Sequence, residues 1–194
     1  LRHMKGEYFS WLSHDDNYYP TKIADEVEVL EKLKDKNTII LSDLDGIDEN
    51  YNQIYRTNYI DHIKAYPPRE KSMLHPIIYN QTHGCTLLIP KACFDTVGWF
   101  DEKELVAQDF EFFYRAFKVF PHKLLPKVLV TARDSSNRQG RRSHHKGDVE
   151  YSRLFIKIIE EFTDEEILEL APSRRDFYID MENFFRAAGY SIAL

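Results

Sequence analysis

Apolar and polar positions fall in blocks along this chain, and the blocks read in turn as strands and helices. Glu7-Tyr8-Phe9-Ser10-Trp11-Leu12 is an aromatic run entered from Gly6 and stopped by the polar cluster from Ser13 to Asn17, the pattern of a strand that ends in a loop. Pro20 then opens a segment in which Ile23, Val27, Leu30 and Leu33 recur at helical spacing, with acids Asp25, Glu26, Glu28 and Glu31 towards its front. That spacing predicts a helix with one buried apolar face. Thr38-Ile39-Ile40-Leu41-Ser42 predicts a buried strand. Strand, helix and strand in succession predict a βαβ unit, a parallel-type sheet and an α/β fold class.

Further along, the polar stretch from Asp43 to Tyr59 holds Gly46 and an Asn-rich middle, which predicts a turn and a short second strand. Gly84-Cys85-Thr86-Leu87-Leu88-Ile89-Pro90 reads as a core strand, and Lys91 to Val97 as a short helix closed by Gly98. Phe110, Phe113, Tyr114 and Phe117 mark a helix from about Ala107 to Phe120 that Pro121 ends. Leu124 to Thr131 predicts another strand, and Arg133 to Lys146 a basic loop with Arg138, Arg141, Arg142, His144, His145 and Lys146. Beyond it, Leu154-Phe155-Ile158-Ile159-Phe162, a Thr163 cap followed by acids, and Arg175 to Ala188 predict a helical end. The expected organisation is a mixed α/β body over residues 1–148 and a helical extension over 149–194.

Composition narrows the function classes. A hydrophobic fraction of 43%, a charged fraction of 30% and 13 Phe with 12 Tyr belong to a folded globular chain with an aromatic core or binding surface. The net charge of -6 argues against a general nucleic-acid binder, which needs a basic surface. No apolar run reaches 18 residues, so no membrane span is expected, and the N-terminus lacks a signal-peptide pattern. Two cysteines, Cys85 and Cys93, are too few for a disulfide framework, which points to the reducing cytoplasm; one disulfide between them is the competing reading.

Two carboxylate positions stand out. Asp15-Asp16 follows a strand and precedes a proline-started helix, and the carboxyl ends of strands are where open α/β sheets hold ligands. Such a pair can bind Mg²⁺ or Mn²⁺, which complete their shells with water and phosphate oxygens; its structural alternative is an Asp-rich turn capping the next helix. Asp109 falls in the first turn of a helix, where it serves either as a dipole-stabilised carboxylate or as a general base. The basic loop can offset the charge of an anion or simply be solvated. Zinc is disfavoured by spacing: His144 and His145 are adjacent, and Cys85 and Cys93 lie too far apart for a ligand pair. Gly-rich phosphate loops, G-x-S-x-G and H-E-x-x-H are all missing from the sequence.

Taken together, Gly6 to Asn17 with Pro20 resemble the segment around the D-x-D motif of family-2 glycosyltransferases. Gly84 to Ile89 with Val97-Gly98-Trp99-Phe100-Asp101-Glu102 is similar to that family's central strand and glycine turn. Gln108-Asp109-Phe110-Glu111-Phe112-Phe113-Tyr114-Arg115 is similar to its acidic helix with a trailing arginine. The resemblance implies a GT-A-type fold and an inverting transfer of sugar from a nucleotide-diphosphate sugar to a glycan or other hydroxyl acceptor, in polysaccharide or cell-envelope glycan synthesis. It implies that Asp15 and Asp16 contact the ribose-diphosphate and its Mn²⁺ or Mg²⁺ and that Asp109 is the base; Arg138 and Arg141 are expected at the diphosphate from the charge of the basic loop. It places the work in the cytoplasm, with peripheral association at the inner face of the membrane. Three departures qualify the match: Ser13 stands where the family often has its first Asp, Gln108 replaces a Glu, and Asp134-Ser135-Ser136 occupies a place that often holds a histidine. The chain starts just before the D-x-D strand, so most of the nucleotide-binding half is expected to be missing, with weak activity alone and self-association through an exposed sheet edge. The alternatives are a carboxylate-based glycoside hydrolase and a degenerate sugar- or partner-binding module.

Overall fold

The computed structural model describes residues 3–79, 82–133, 144–188 and 190. Its sheet contains β1 (Tyr8–Ser10), β2 (Asn17–Tyr18), β3 (Ile39–Ile47), β4 (Gln53–Arg56), β5 (Leu87–Pro90) and β6 (His122–Arg133). The strand order is β1-β5-β3-β6-β2, with β4 also paired to β3. The helices are α1 (Lys22–Lys32), α2 (Tyr59–Ala65), α3 (His75–Ile78), α4 (Lys91–Val97), α5 (Gln108–Phe117), α6 (His144–Glu160), α7 (Asp164–Leu170) and α8 (Arg174–Ala188). This is a mixed α/β architecture with helices on both faces and a helical C-terminal region, as expected of a partial GT-A-like fold.

The βαβ expectation needs correction. β1 and β3 run in the same direction but are not neighbours, because β5 lies between them and pairs antiparallel with both. The parallel pair is β3 with β6. Both faces of the central strands are covered, which is why they read as continuous apolar runs. Leu30 of α1 packs with Ile40 and Leu88 on one face. Ile39, Leu41, Leu87 and Ile89 belong to the larger cluster on the other, with Phe112, Phe113 and Phe117 of α5 and Phe155, Leu170 and Phe177 of the last three helices. The C-terminal helices thus share one core with the sheet.

Strand β3 continues through Asp43 and Asp45 to Ile47, where polarity had predicted a turn. The hairpin begins at Asp48, whose Oδ1 accepts from the backbone N–H of Asn50 and Asn52. Buried Asp43 accepts from Thr57 and Tyr59, and Asp45 pairs with Arg56, so local partners allow two carboxylates inside a strand. Gly46 faces Tyr55 across the hairpin, and a Cβ there would lie 2.1 Å from the Tyr55 ring, so the aromatic can cross only over a glycine.

Helix α1 is also turned from its expected orientation. Ile23 is exposed, while Lys22, Glu26 and Leu30 form the buried column. Lys22 Nζ donates to both Glu26 carboxylate oxygens at 2.8 Å and to Ser10 Oγ at 3.2 Å, and it lies over the Tyr18 ring. Burial lowers the Lys22 pKa and raises that of Glu26 to about 7. The i, i+4 ion pair therefore occupies the inward face that the apolar pattern assigned to Ile23. At the other end of the chain, Thr163 and Glu166 form a capping box that starts α7. Buried Arg69 donates to the Leu170 carbonyl, the Tyr79 hydroxyl and Asp180, tying the middle of the chain to α7 and α8.

Candidate functional site

The Ser13–Asp16 corner is a tight turn closed by the Asp16 N–H donating to the Ser13 carbonyl at 3.2 Å. It links β1 to the short strand β2, which pairs antiparallel with the end of β6. The two carboxylates point to different surroundings. Asp16 is buried; its Oδ1 accepts from the Arg133 backbone N–H at 3.2 Å and its Oδ2 from the Cys85 thiol at 3.1 Å. The Asp15 side chain is 23% exposed, and His14 beside it is open to solvent. A buried carboxylate needs such donors, whereas Asp15 retains access to a ligand from outside.

Cys85 is free, as is Cys93, so the competing disulfide does not form. Burial pushes the Cys85 thiol up to about 12; the Ser13 N–H, donating to its sulfur at 3.3 Å, opposes that rise and Asp16 adds to it. His83 completes the surroundings, its Nε2 lying 3.9 Å from Asp16 Oδ2. Asp16, His83 and Cys85 place one ligand atom each within 4.8 Å of one another, and no other such group occurs among the described residues. The spacing of Cys85 and Cys93 disfavours zinc but does not reveal this set, because Asp16 arrives from a distant part of the chain. The usable local signal was His83-x-Cys85.

Gly84 sits between two sequence blocks: a Cβ there would lie 3.8 Å from both the Trp11 and Phe113 rings. Phe113 lies one helical turn beyond Asp109 on α5, so the Asp16 corner, the Gly84 turn and the Asp109 helix converge on one place. Asp109 itself is partly buried, and its Oδ1 accepts from the Phe110 N–H at 2.8 Å. Burial raises its pKa against the opposing backbone hydrogen bonds. A Gln at position 108 puts no second acid beside Asp109, so this rise comes from desolvation, a cause that the neighbour's identity does not reveal. Asp109 also adds to the rise that burial gives the Tyr151 hydroxyl on α6.

The start of α5 lacks a side-chain cap of its own. Glu150 from α6 instead holds the loop that leads into it, accepting from the N–H groups of Leu105, Val106 and Ala107 at 3.3, 2.7 and 3.0 Å. Desolvation raises the Glu150 pKa, but the three backbone donors outweigh it and the net shift is downward. Glu150→Gln is expected to cost about 1.5–3 kcal/mol, the range for hydrogen bonds to a charged acceptor. Because the folded-state value is depressed, this stabilisation is present above the unfolded pKa and is lost as pH falls through the folded one. Urea melts of both proteins at neutral and acidic pH check this: the difference between them should shrink on acidification.

Arg115 holds the glycine turn. It donates to the Val97 and Trp99 carbonyls and pairs through two nitrogens with Glu111. Gly98 closes α4 at φ +83, a conformation glycine adopts without a Cβ penalty. Phe100 packs against Trp11 and Phe112, while Trp99 and Tyr19 remain exposed. At the end of β6, Arg133 reaches Tyr51 of the hairpin. Arg138 and Arg141 lie outside the described residues, as do Arg142 and the side chains of His144 and His145. The helix after the basic segment starts earlier than expected, since α6 begins at His144.

Comparison with known proteins adds a second line. No protein-family model matches the chain. Over 195 residues it is 32% identical to a Rickettsia typhi protein, covering 98% of this chain and 59% of that one. It is 36% identical over 174 residues to a Rickettsia conorii protein, covering 89% of this chain and 28% of the relative. A Rickettsia bellii protein matches at 33% identity over 193 residues, across 100% of this chain and 28% of its own length. Each is named an uncharacterized glycosyltransferase. The chain thus spans little more than half of the first relative and about a quarter of the other two. Among the described residues no helix is long and apolar enough to cross a membrane.

Proposed function

We propose that this chain supplies the metal corner and acceptor side of a glycosyltransferase of the family-2, GT-A type. The enzyme would move a sugar from a nucleotide-diphosphate sugar to an acceptor hydroxyl with inversion, in polysaccharide or cell-envelope glycan synthesis. The observation that carries this reading is the meeting of three resembling blocks at Gly84, where Trp11 and the Phe113 end of the Asp109 helix close on one turn. The names of the relatives support it.

In this reading Asp109 takes the proton of the acceptor hydroxyl, and the freed oxygen attacks the anomeric carbon. The bond from that carbon to the diphosphate oxygen breaks on the opposite face, and the diphosphate leaves with the electron pair. A raised pKa suits a carboxylate that must hold this proton, and Glu150 fixes the loop just before the helix that carries Asp109. Asp15, an accessible hard oxygen donor, fits a Mg²⁺ or Mn²⁺ that keeps water and diphosphate oxygens in its shell; Asp16 braces the turn from beneath. When bound, such an ion neutralises charge on the leaving diphosphate. Arg138 and Arg141 are assigned to the same task from the basic segment.

The test is Mn²⁺ activation of sugar transfer by the longest natural polypeptide that contains this chain. Asp15→Asn should raise the Mn²⁺ concentration for half activation by about tenfold or more, at least what loss of an outer-shell partner costs. An unchanged Mn²⁺ dependence would remove Asp15 from the metal's shell.

A further inference from the structure

We propose that Asp16, His83 and Cys85 form a binding site for a thiophilic divalent transition ion, Zn²⁺ by its chemistry, distinct from the Asp15 position that meets a diphosphate. The three ligand atoms lie within 4.8 Å of one another, with Cys85 Sγ 3.1 Å from Asp16 Oδ2 and His83 Nε2 3.9 Å from the same oxygen. Tetrahedral zinc with ordinary bond lengths to S, N and O puts its ligand atoms about 3.3–3.6 Å apart, a spacing close to both separations from Asp16 Oδ2. One carboxylate, one imidazole and one thiolate leave a fourth position for water or a ligand, and a soft sulfur donor disfavours Mg²⁺.

The surroundings are those of an oriented ligand set. The Ser13 N–H donates to the Cys85 sulfur at 3.3 Å, which stabilises negative charge there. The Arg133 N–H holds Asp16 Oδ1 at 3.2 Å, leaving Oδ2 turned towards His83 and Cys85. Both are backbone donors, fixed by the turn and by β6 respectively, and such outer-shell contacts fix the direction of ligands. Cys85 and Asp16 are buried, while the His83 side chain is 29% exposed and gives the ion a way in.

Binding has a definite proton balance. The thiol S–H bond breaks as the sulfur–metal bond forms, so one proton is released to solvent. The Cys85 N–H donates to His83 Nδ1 at 3.3 Å, which leaves the proton of the neutral ring on Nε2. Ligation through Nε2 moves that proton to Nδ1 and gives up the hydrogen bond from the Cys85 N–H. The site stands apart from the transferase reading, since the ion can bind whether or not sugar is transferred.

The experiment is titration of the reduced 194-residue chain with Co²⁺, a spectroscopic stand-in for Zn²⁺. The expected result is a thiolate-to-cobalt charge-transfer band with four-coordinate visible bands, saturating at one ion per chain and bleached by Zn²⁺ but not by about a hundredfold excess of Mg²⁺. Cys85→Ser should abolish the charge-transfer band, His83→Asn should weaken binding by about tenfold or more, and Asp15→Asn should leave it unchanged. Calorimetry of wild-type chain with Zn²⁺ in two buffers of different ionisation enthalpy should give one proton released per ion, a readout that needs no variant to fold. No charge-transfer band in the wild-type chain, a band that survives Cys85→Ser, or binding without proton release would each overturn the site.

Discussion

Asp109→Asn, in the longest natural polypeptide that contains this chain, is expected to lower kcat by about 10²–10⁴-fold, the usual worth of a positioned general base. Donor affinity should stay near wild type, because the side chain acts on the acceptor proton and not on the nucleotide. The sign of the accompanying stability change is also set. Burial raises the folded-state pKa of Asp109, so the folded chain holds this proton more tightly than the unfolded chain does. The resulting penalty is absent below the unfolded pKa and fully present above the folded one. At neutral pH the neutral Asn should therefore melt at or above the wild-type temperature while the enzyme loses turnover, a trade expected of a residue kept for chemistry. In the wild type, kcat should fall on the acid side as the base takes up its proton, and that limb should lie above the pKa of an ordinary aspartate. A variant that keeps wild-type kcat would remove Asp109 from the mechanism.

The largest stability effect is expected at the buried ion pair under α1. Lys22 and Glu26 have side chains 1% and 0% exposed, so removing one charge strands the other. Lys22→Met should cost about 3–5 kcal/mol in a urea melt above the Glu26 pKa. Below that value, about 7 in the intact pair, Glu26 can be buried neutral and the loss should shrink. Lys22→Met with Glu26→Leu should recover most of the loss, because apolar side chains of similar volume replace a pair whose attraction roughly offsets its desolvation. Equal destabilisation of the single and double variants would mean that shape at this position, and not charge, holds α1 to the sheet.

These two sites show where sequence reasoning reached and where it stopped. The elements came through well where one signal dominated: Lys91 to Val97 stopped by Gly98, the aromatic spacing of α5 ended before Pro121, and the Thr163 cap all match the structure. The α/β class was legible for the same reason. Periodicity failed where tertiary partners reversed a residue's usual preference. Lys22 and Glu26 took the inner face of α1 because they satisfy each other, and Asp43 and Asp45 entered β3 because Thr57, Tyr59 and Arg56 meet them. Strand order was not legible either: nothing local in Leu87 to Pro90 says that it inserts between β1 and β3.

At the candidate site, the Asp15-Asp16 pair and Asp109 stood out by type and position, but their roles divided only in three dimensions. Adjacent residues in a tight turn diverge, so Asp16 went inward to Cys85 and Arg133 while Asp15 kept contact with solvent. Glu150, whose carboxylate caps the loop before Asp109, lies more than 40 residues downstream and carries no motif. A contact of that sequence separation becomes visible only when α6 packs against α5.

Sugar transfer from a nucleotide-diphosphate donor requires, in the proposed function, a metal at the Asp15 corner. Its most direct test is nucleoside-diphosphate release from a panel of nucleotide sugars, measured with a hydroxyl acceptor present, with Mn²⁺ and with chelator, in the longest natural polypeptide that contains this chain. At least one donor should be consumed, and chelator should suppress its consumption. Hydrolysis of a synthetic glycoside in chelator, with every nucleotide sugar left intact, would contradict it.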